Sequence, residues 1–112
     1  MGAVFYDTIQ VVKGNARDAY NEACEEANDE NGHQQGYSGD IQTADGYSEA
    51  KGNPRYGTKA WSKWIDMKDE TMYKGDCEYV ELTGAVAKRI KGRRWKGRKG
   101  IRVFYFFGVG RD

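Results

Sequence analysis

Lys88-Arg89-Ile90-Lys91-Gly92-Arg93-Arg94-Trp95-Lys96-Gly97-Arg98-Lys99-Gly100-Ile101-Arg102 holds nine of the chain's eighteen Lys and Arg and not one acid. A single aromatic, Trp95, stands in its middle. Strand-like sequence flanks it: Glu78-Tyr79-Val80-Glu81-Leu82-Thr83 before, and an apolar run from Ile101 to Val109 after. Alternating or continuous apolar residues around a Gly-punctuated centre predict a β-hairpin with a basic tip at about 88–102. The two flanking strands then pair antiparallel. The second is apolar on both faces, which predicts a place in the middle of the sheet.

Upstream, Ala3 to Val12 reads as another strand with apolar residues on both faces, also expected inside the sheet. Asn15 is an N-cap, with Asp18 in the first turn. Ala16, Ala19, Tyr20, Ala23, Cys24 and Ala27 then recur at helical spacing and make a stripe of mostly small side chains suited to lying close on a sheet. Gly32 is placed to end that helix. Residues 37–43 predict a short strand, and residues 44–58, rich in Gly, Asp, Ser and Asn, a long loop. Thr58 caps a second helix over about 59–72, with Ala60, Trp61, Trp64, Ile65 and Met72 as its apolar stripe. The expected order is β-α-β-α-β-β. The fold class is α+β: a single small domain over residues 1–112, with two helices on one face of a mostly antiparallel sheet.

A formal net charge of +1 conceals a division. Residues 1–81 carry sixteen acids and eight bases; residues 82–112 carry ten bases and one acid. Local charge, not net charge, therefore bears on partners. The acids include the outer face of the first helix: Asp18, Glu22, Glu25, Glu26, Asp29 and Glu30. That face serves either as a solvated surface, or as a docking site for a basic partner or a nucleic-acid mimic. Opposite poles on one chain also allow head-to-tail self-association that salt would reverse.

The chain opens without a basic region followed by a long apolar run, and no stretch approaches the roughly 18 apolar residues of a membrane span. These features predict a cytoplasmic protein with no membrane contact. Two cysteines, Cys24 and Cys77, fit reduced thiols, with one disulfide left open.

Catalytic patterns are sparse. No phosphate-binding loop of the Gly-x-x-x-x-Gly-Lys-Ser/Thr type occurs, and no Cys or His pair has zinc-ligand spacing. His33 is the only histidine, placed just after a helix end; with Tyr37 it would be the first place to look for a base. Asp66, Asp69 and Glu70 would be the first for Mg²⁺, although three acids on an outer helix face are ordinarily just solvated. Trp61 and Trp64 are expected in the core, with a base-stacking platform as the alternative. The chain reads as non-enzymatic and without a cofactor.

Three segments taken together resemble a family of small uncharacterised proteins from bacteriophages and bacterial genomes. They are Ala16-x-x-Ala19-Tyr20-x-x-Ala23, Gly36-Tyr37-Ser38-Gly39-Asp40-Ile41 and Phe104-Tyr105-Phe106-Phe107-Gly108. That family has no assigned activity, and the resemblance implies a phage or mobile-element origin. This chain carries Asp40 where those proteins have Thr, and the Lys/Arg-rich stretch before the last strand is its own.

The leading expectation is a nucleic-acid-binding protein. Lys88, Arg89, Lys91, Arg93, Arg94, Lys96, Arg98, Lys99 and Arg102 would contact DNA or RNA phosphates, and Trp95 would stack on a base or wedge into a groove. The alternative is a phage-encoded inhibitor that binds a host protein, such as a defence nuclease, in an anti-CRISPR-like or anti-restriction-like manner. Its interface would be the acidic helix or the basic stretch.

Overall fold

The last strand holds the molecule together. In a computed structural model, which describes residues 3–30, 41 and 44–111, Ile101–Arg111 (β4) lies between two antiparallel neighbours. On one side it pairs along its whole length with Ala3–Lys13 (β1), from Ala3↔Arg111 to Lys13↔Ile101. On the other it pairs with Cys77–Leu82 (β3), from Cys77↔Gly108 to Leu82↔Val103. A two-residue strand, Ser48–Glu49 (β2), joins β3 in parallel, so the sheet is mixed and its order is β1-β4-β3-β2. The central place expected for the last strand holds. β1, expected inside the sheet, is an edge strand instead; its two apolar faces reflect cover above and below, not a neighbour on each side.

That cover is the main correction to the expected architecture. Along β4, Phe104 and Phe106 point to one face and Val103, Tyr105 and Phe107 to the other, and all five are buried. The first face packs on helix Ala16–Glu30 (α1) through Ala16, Ala19, Ala23 and Ala27, together with Tyr6 and Val12 of β1. The opposite face packs on helix Lys59–Thr71 (α2) through Trp61, Trp64 and Ile65, together with Phe5, Ile9 and Val11 of β1. The helices therefore sandwich the sheet in three layers and do not share one face. The physical cause is legible in β4 itself. A strand apolar at every position exposes one face to water unless both are covered, and each Phe buried contributes roughly 2–3 kcal/mol. The α+β class stands.

Both helix starts form as expected. Asn15 and Asp18 cap α1 reciprocally: the Asp18 amide donates to Asn15 Oδ1 and the Asn15 amide to Asp18 Oδ2, each at 3.1 Å. Thr58 Oγ1 accepts from the Trp61 amide at 3.2 Å at the start of α2. Of the strand expected over 37–43, only Ile41, which is buried against α1, lies within the described residues. Gly32, His33, Gly36, Tyr37, Gly39 and Asp40 lie outside them.

The basic hairpin does not form. β3 ends at Leu82, and the chain enters a third helix, Gly84–Lys91 (α3), then a 3-10 turn over Arg93–Trp95, before β4 begins. β3 and β4 pair as expected, but through a helical connection. Gly84 breaks the strand at φ 68°, a left-handed value that favours glycine. Beyond it, Ala85, Ala87, Lys88, Arg89 and Lys91 are strong helix formers. Val86, Ala87 and Ile90 make an apolar stripe at helical spacing that packs on the α2 side of the sheet. No helix among the described residues is long and apolar enough to cross a membrane.

Candidate nucleic-acid interface

The apolar stripe of α3 decides which of its cations face water. With Val86, Ala87 and Ile90 turned to the sheet, Lys88 and Arg89 are exposed and Lys91 is half-buried. Gly92 ends the helix at φ 61°, its amide bonded to the Lys88 carbonyl at 3.2 Å. The chain then folds on itself: the Lys96 amide donates to the Arg93 carbonyl at 3.1 Å, and the Arg98 amide to the Trp95 carbonyl at 3.2 Å. These turns bring the cations of the loop back beside those of the helix.

The result is an open hollow of about 450 Å³ lined by Lys88, Arg89, Lys91, Arg93, Lys96 and Arg98, with Trp95, Gly92 and Gly97 completing the wall. No acid lines it. Trp95 is half-buried, and the guanidiniums of Arg94 and Arg98 each lie over its ring, 5.4 Å from the ring centroid. Lys99 is exposed on the loop, outside this hollow.

A second hollow, of about 340 Å³, lies at the free edge of β1. Ile9, Gln10 and Val11 line it with Glu22 and Glu26 of α1 and with Arg94 and Trp95. Trp95 therefore borders both hollows, with Arg98 in the first and Arg94 in the second. Partial burial, then the neighbouring Glu26 and Glu25, hold the Glu22 carboxyl above its ordinary value; Arg94 pulls it back. Buried Gln10 donates from Nε2 to Glu26 Oε2 and to Thr8 Oγ1, both at 3.2 Å. The two charge poles of the sequence thus meet at this edge. Neither Gln10 nor the Arg94–Glu22 approach is signalled in the sequence, because both depend on the path the chain takes after α3.

Two expected groupings come apart. Arg102 points to the α1 face of the sheet, away from α3. Its Nε and Nη2 donate to Glu81 Oε2 and Oε1, both at 2.8 Å, and its guanidinium lies 5.0 Å from the Phe104 ring centroid. The pair holds the Glu81 carboxyl below its ordinary value. Arg102 is therefore neutralised locally and stands apart from the other cations. On α1, Asp18 is engaged in the cap and Glu26 with Gln10, whereas Glu25 is exposed. The side chains of Asp29 and Glu30 lie outside the described residues.

Trp61 and Trp64 are core, as expected: Trp61 packs edge-on to Tyr105 and Trp64 to Phe107, each pair at 5.3 Å between centroids. Asp66, Asp69 and Glu70 are exposed on α2, and no group of three His, Cys, Asp or Glu among the described residues is placed to hold a metal. Cys24 and Cys77 are not joined in a disulfide. Cys77 is buried beside Tyr6, and that burial pushes its thiol up to about 12. Compared with protein-family models, with curated proteins and with solved structures, the chain matches none.

Proposed function

We propose that this chain is a small, non-enzymatic binding protein that grips the phosphate backbone of nucleic acid with the cations of α3 and the turn after it. One observation carries the reading: six Lys and Arg side chains surround a single open hollow that no acid among the described residues lines. Cations crowded in this way repel one another, and a polyanion relieves the repulsion while accepting charge-assisted hydrogen bonds. The spacing matches no base-reading arrangement, so contacts to phosphate dominate and sequence preference is weak.

Fluorescence anisotropy with labelled DNA and RNA over a salt series tests this. If about five cations meet phosphates, log K against log salt falls with a slope of roughly −4 to −5. Arg93, Lys96 and Arg98 all changed to Gln should weaken binding severely and flatten that slope by about three. Absence of binding at low salt overturns the reading.

A second reading, a phage-encoded inhibitor of a host protein such as a defence nuclease, draws support from α1. Burial first, and then Glu26 and Glu25, raise the Glu22 carboxyl, and a basic partner surface would relieve the repulsion among the three acids. Capture of a specific host protein that is lost in a Glu22→Gln, Glu25→Gln double variant, with nucleic acid removed by nuclease, would favour it. The same acids also suit salt-sensitive self-association, which sedimentation across a salt series would reveal.

A further inference from the structure

We infer that the basic hollow takes double-stranded nucleic acid, held by its phosphates, and that Trp95 acts as a spacer that positions Arg94 and Arg98 and does not stack on a base. This rests on the nucleic-acid reading above and specifies the substrate class of the same site.

Sites for single strands combine a cationic groove with aromatic rings on which successive bases lie. Here Trp95 is the one aromatic side chain lining the hollow. Its ring already carries two guanidiniums, that of Arg98 from the hollow itself and that of Arg94 from the neighbouring one. A base approaching the ring from the hollow has to displace Arg98, which would otherwise bind phosphate. The ring is also half-buried, so it is a wall and not an extended platform.

Among the described residues, no second ring lines the hollow to continue a stack. Tyr47 is on the α1 face, packed against Tyr20, Tyr79 and Phe106. Tyr73, 79% exposed, belongs to the opposite end of the sheet, where Lys74 bridges Val109. The eight residue steps of β4 from Ile101 to Val109 put that end roughly 25 Å away. Lined by cations and a single occupied ring, the hollow offers a single strand little beyond what its charge supplies, whereas a duplex presents phosphates at fixed spacing on two strands.

Charge also sets the side of approach. Beyond Trp95, Glu22 and Glu26 line the second hollow and repel phosphate there. The footprint is therefore confined to the α3 side of the indole, with Lys88, Arg89, Lys91, Arg93, Lys96 and Arg98 as its cations.

The test uses the full chain and one labelled oligonucleotide of about 20 nucleotides, long enough to cover the hollow, as single strand and as duplex, in DNA and RNA forms. The proteins are the wild type, Trp95→Leu, Arg98→Gln and the double variant, each checked by circular dichroism. The expected result is duplex binding at least about tenfold tighter than single-strand binding at equal salt. Trp95→Leu and Arg98→Gln should each weaken duplex binding several-fold, and the double variant should bind no more weakly than the worse single one, because the indole acts through the arginine. Single-strand binding as tight as duplex binding overturns the inference and leaves the nucleic-acid reading standing. Fully additive losses overturn the spacer role. If neither form binds at low salt, the nucleic-acid reading itself fails and takes the inference with it. Should Trp95→Leu not fold, Arg98→Gln and the strand comparison still decide the substrate class.

Discussion

At Gly108 the backbone of β4 runs so close to its surroundings that hydrogen is the only side chain the site accepts. A Cβ there would overlap the carbonyl oxygen of Asp76 and come within 2.6 Å of the Tyr6 hydroxyl. Neither neighbour can retreat cheaply. Asp76 O is backbone and accepts from the Val109 amide at 3.1 Å. The Tyr6 hydroxyl is buried without a hydrogen-bond partner among the described residues, and burial raises its pKa further than any other effect does. The glycine that closes the Phe106-Phe107-Gly108 segment is thus explained by crowding and not by an unusual backbone angle. Gly108→Ala should destabilise the fold by about 2–3 kcal/mol, the range for overpacking a closed site, as a shift of the urea midpoint at unchanged slope. A midpoint equal to wild type would mean that Asp76 and Tyr6 move aside freely.

Among the elements, α1 and α3 show what a sequence can and cannot disclose. α1 was readable because its small apolar residues repeat over twelve positions and its capping pair stands at the right spacing. α3 has only eight residues, and its stripe is reduced to Val86, Ala87 and Ile90 among cations. The apolar runs on both sides imposed a strand period on it, and the hairpin reading followed. The pairing of β3 with β4 survives that error, since a helical connection and a hairpin both return the chain antiparallel. The placement of α1 and α2 on opposite faces departs from the expected one-face arrangement; the apolar run of β4 marked a central strand, but it also requires cover on both sides. Gly92 is the hinge between α3 and the 3-10 turn, at φ 61° and ψ −157°, a region that side chains essentially avoid. Gly92→Ala should therefore cost about 1–3 kcal/mol in stability. It should also weaken nucleic-acid binding at unchanged charge, because it misaligns Arg93 and Lys96 with Lys88 and Arg89. Thermal melting and anisotropy on the same variant separate the two effects.

For the whole molecule, the charge division of the sequence becomes an internal contact. Seen in one dimension, the acidic and basic halves are separate poles; in the fold, Glu22 and Glu26 meet Arg94 across the edge of β1, with Trp95 between the two hollows. Under the proposed nucleic-acid reading, these acids compete with phosphate for part of the basic surface, and that competition depends on pH. Burial and the adjacent Glu26 and Glu25 raise the Glu22 carboxyl above its ordinary 4.5, against a smaller opposing pull from Arg94. A raised carboxyl binds its proton more tightly folded than unfolded, so its contribution to stability falls as pH rises from the unfolded value through the folded one. Glu81 has the opposite sign. Arg102 lowers its carboxyl, so its contribution is full above 4.5 and is lost as pH falls through the lowered value. Acidifying from about pH 7 to about pH 5 therefore moves Glu22 toward protonation ahead of Glu81, whose pair with Arg102 persists to lower pH. Over that interval the wild type should gain nucleic-acid affinity at low salt, as a repelling charge is weakened. Glu22→Gln should bind more tightly than the wild type at about pH 7 and should respond less to acidification. Anisotropy titrations of both proteins at the two pH values check this. An equal gain in the two would assign the pH response to another group and show that the acidic helix does not restrain the basic surface.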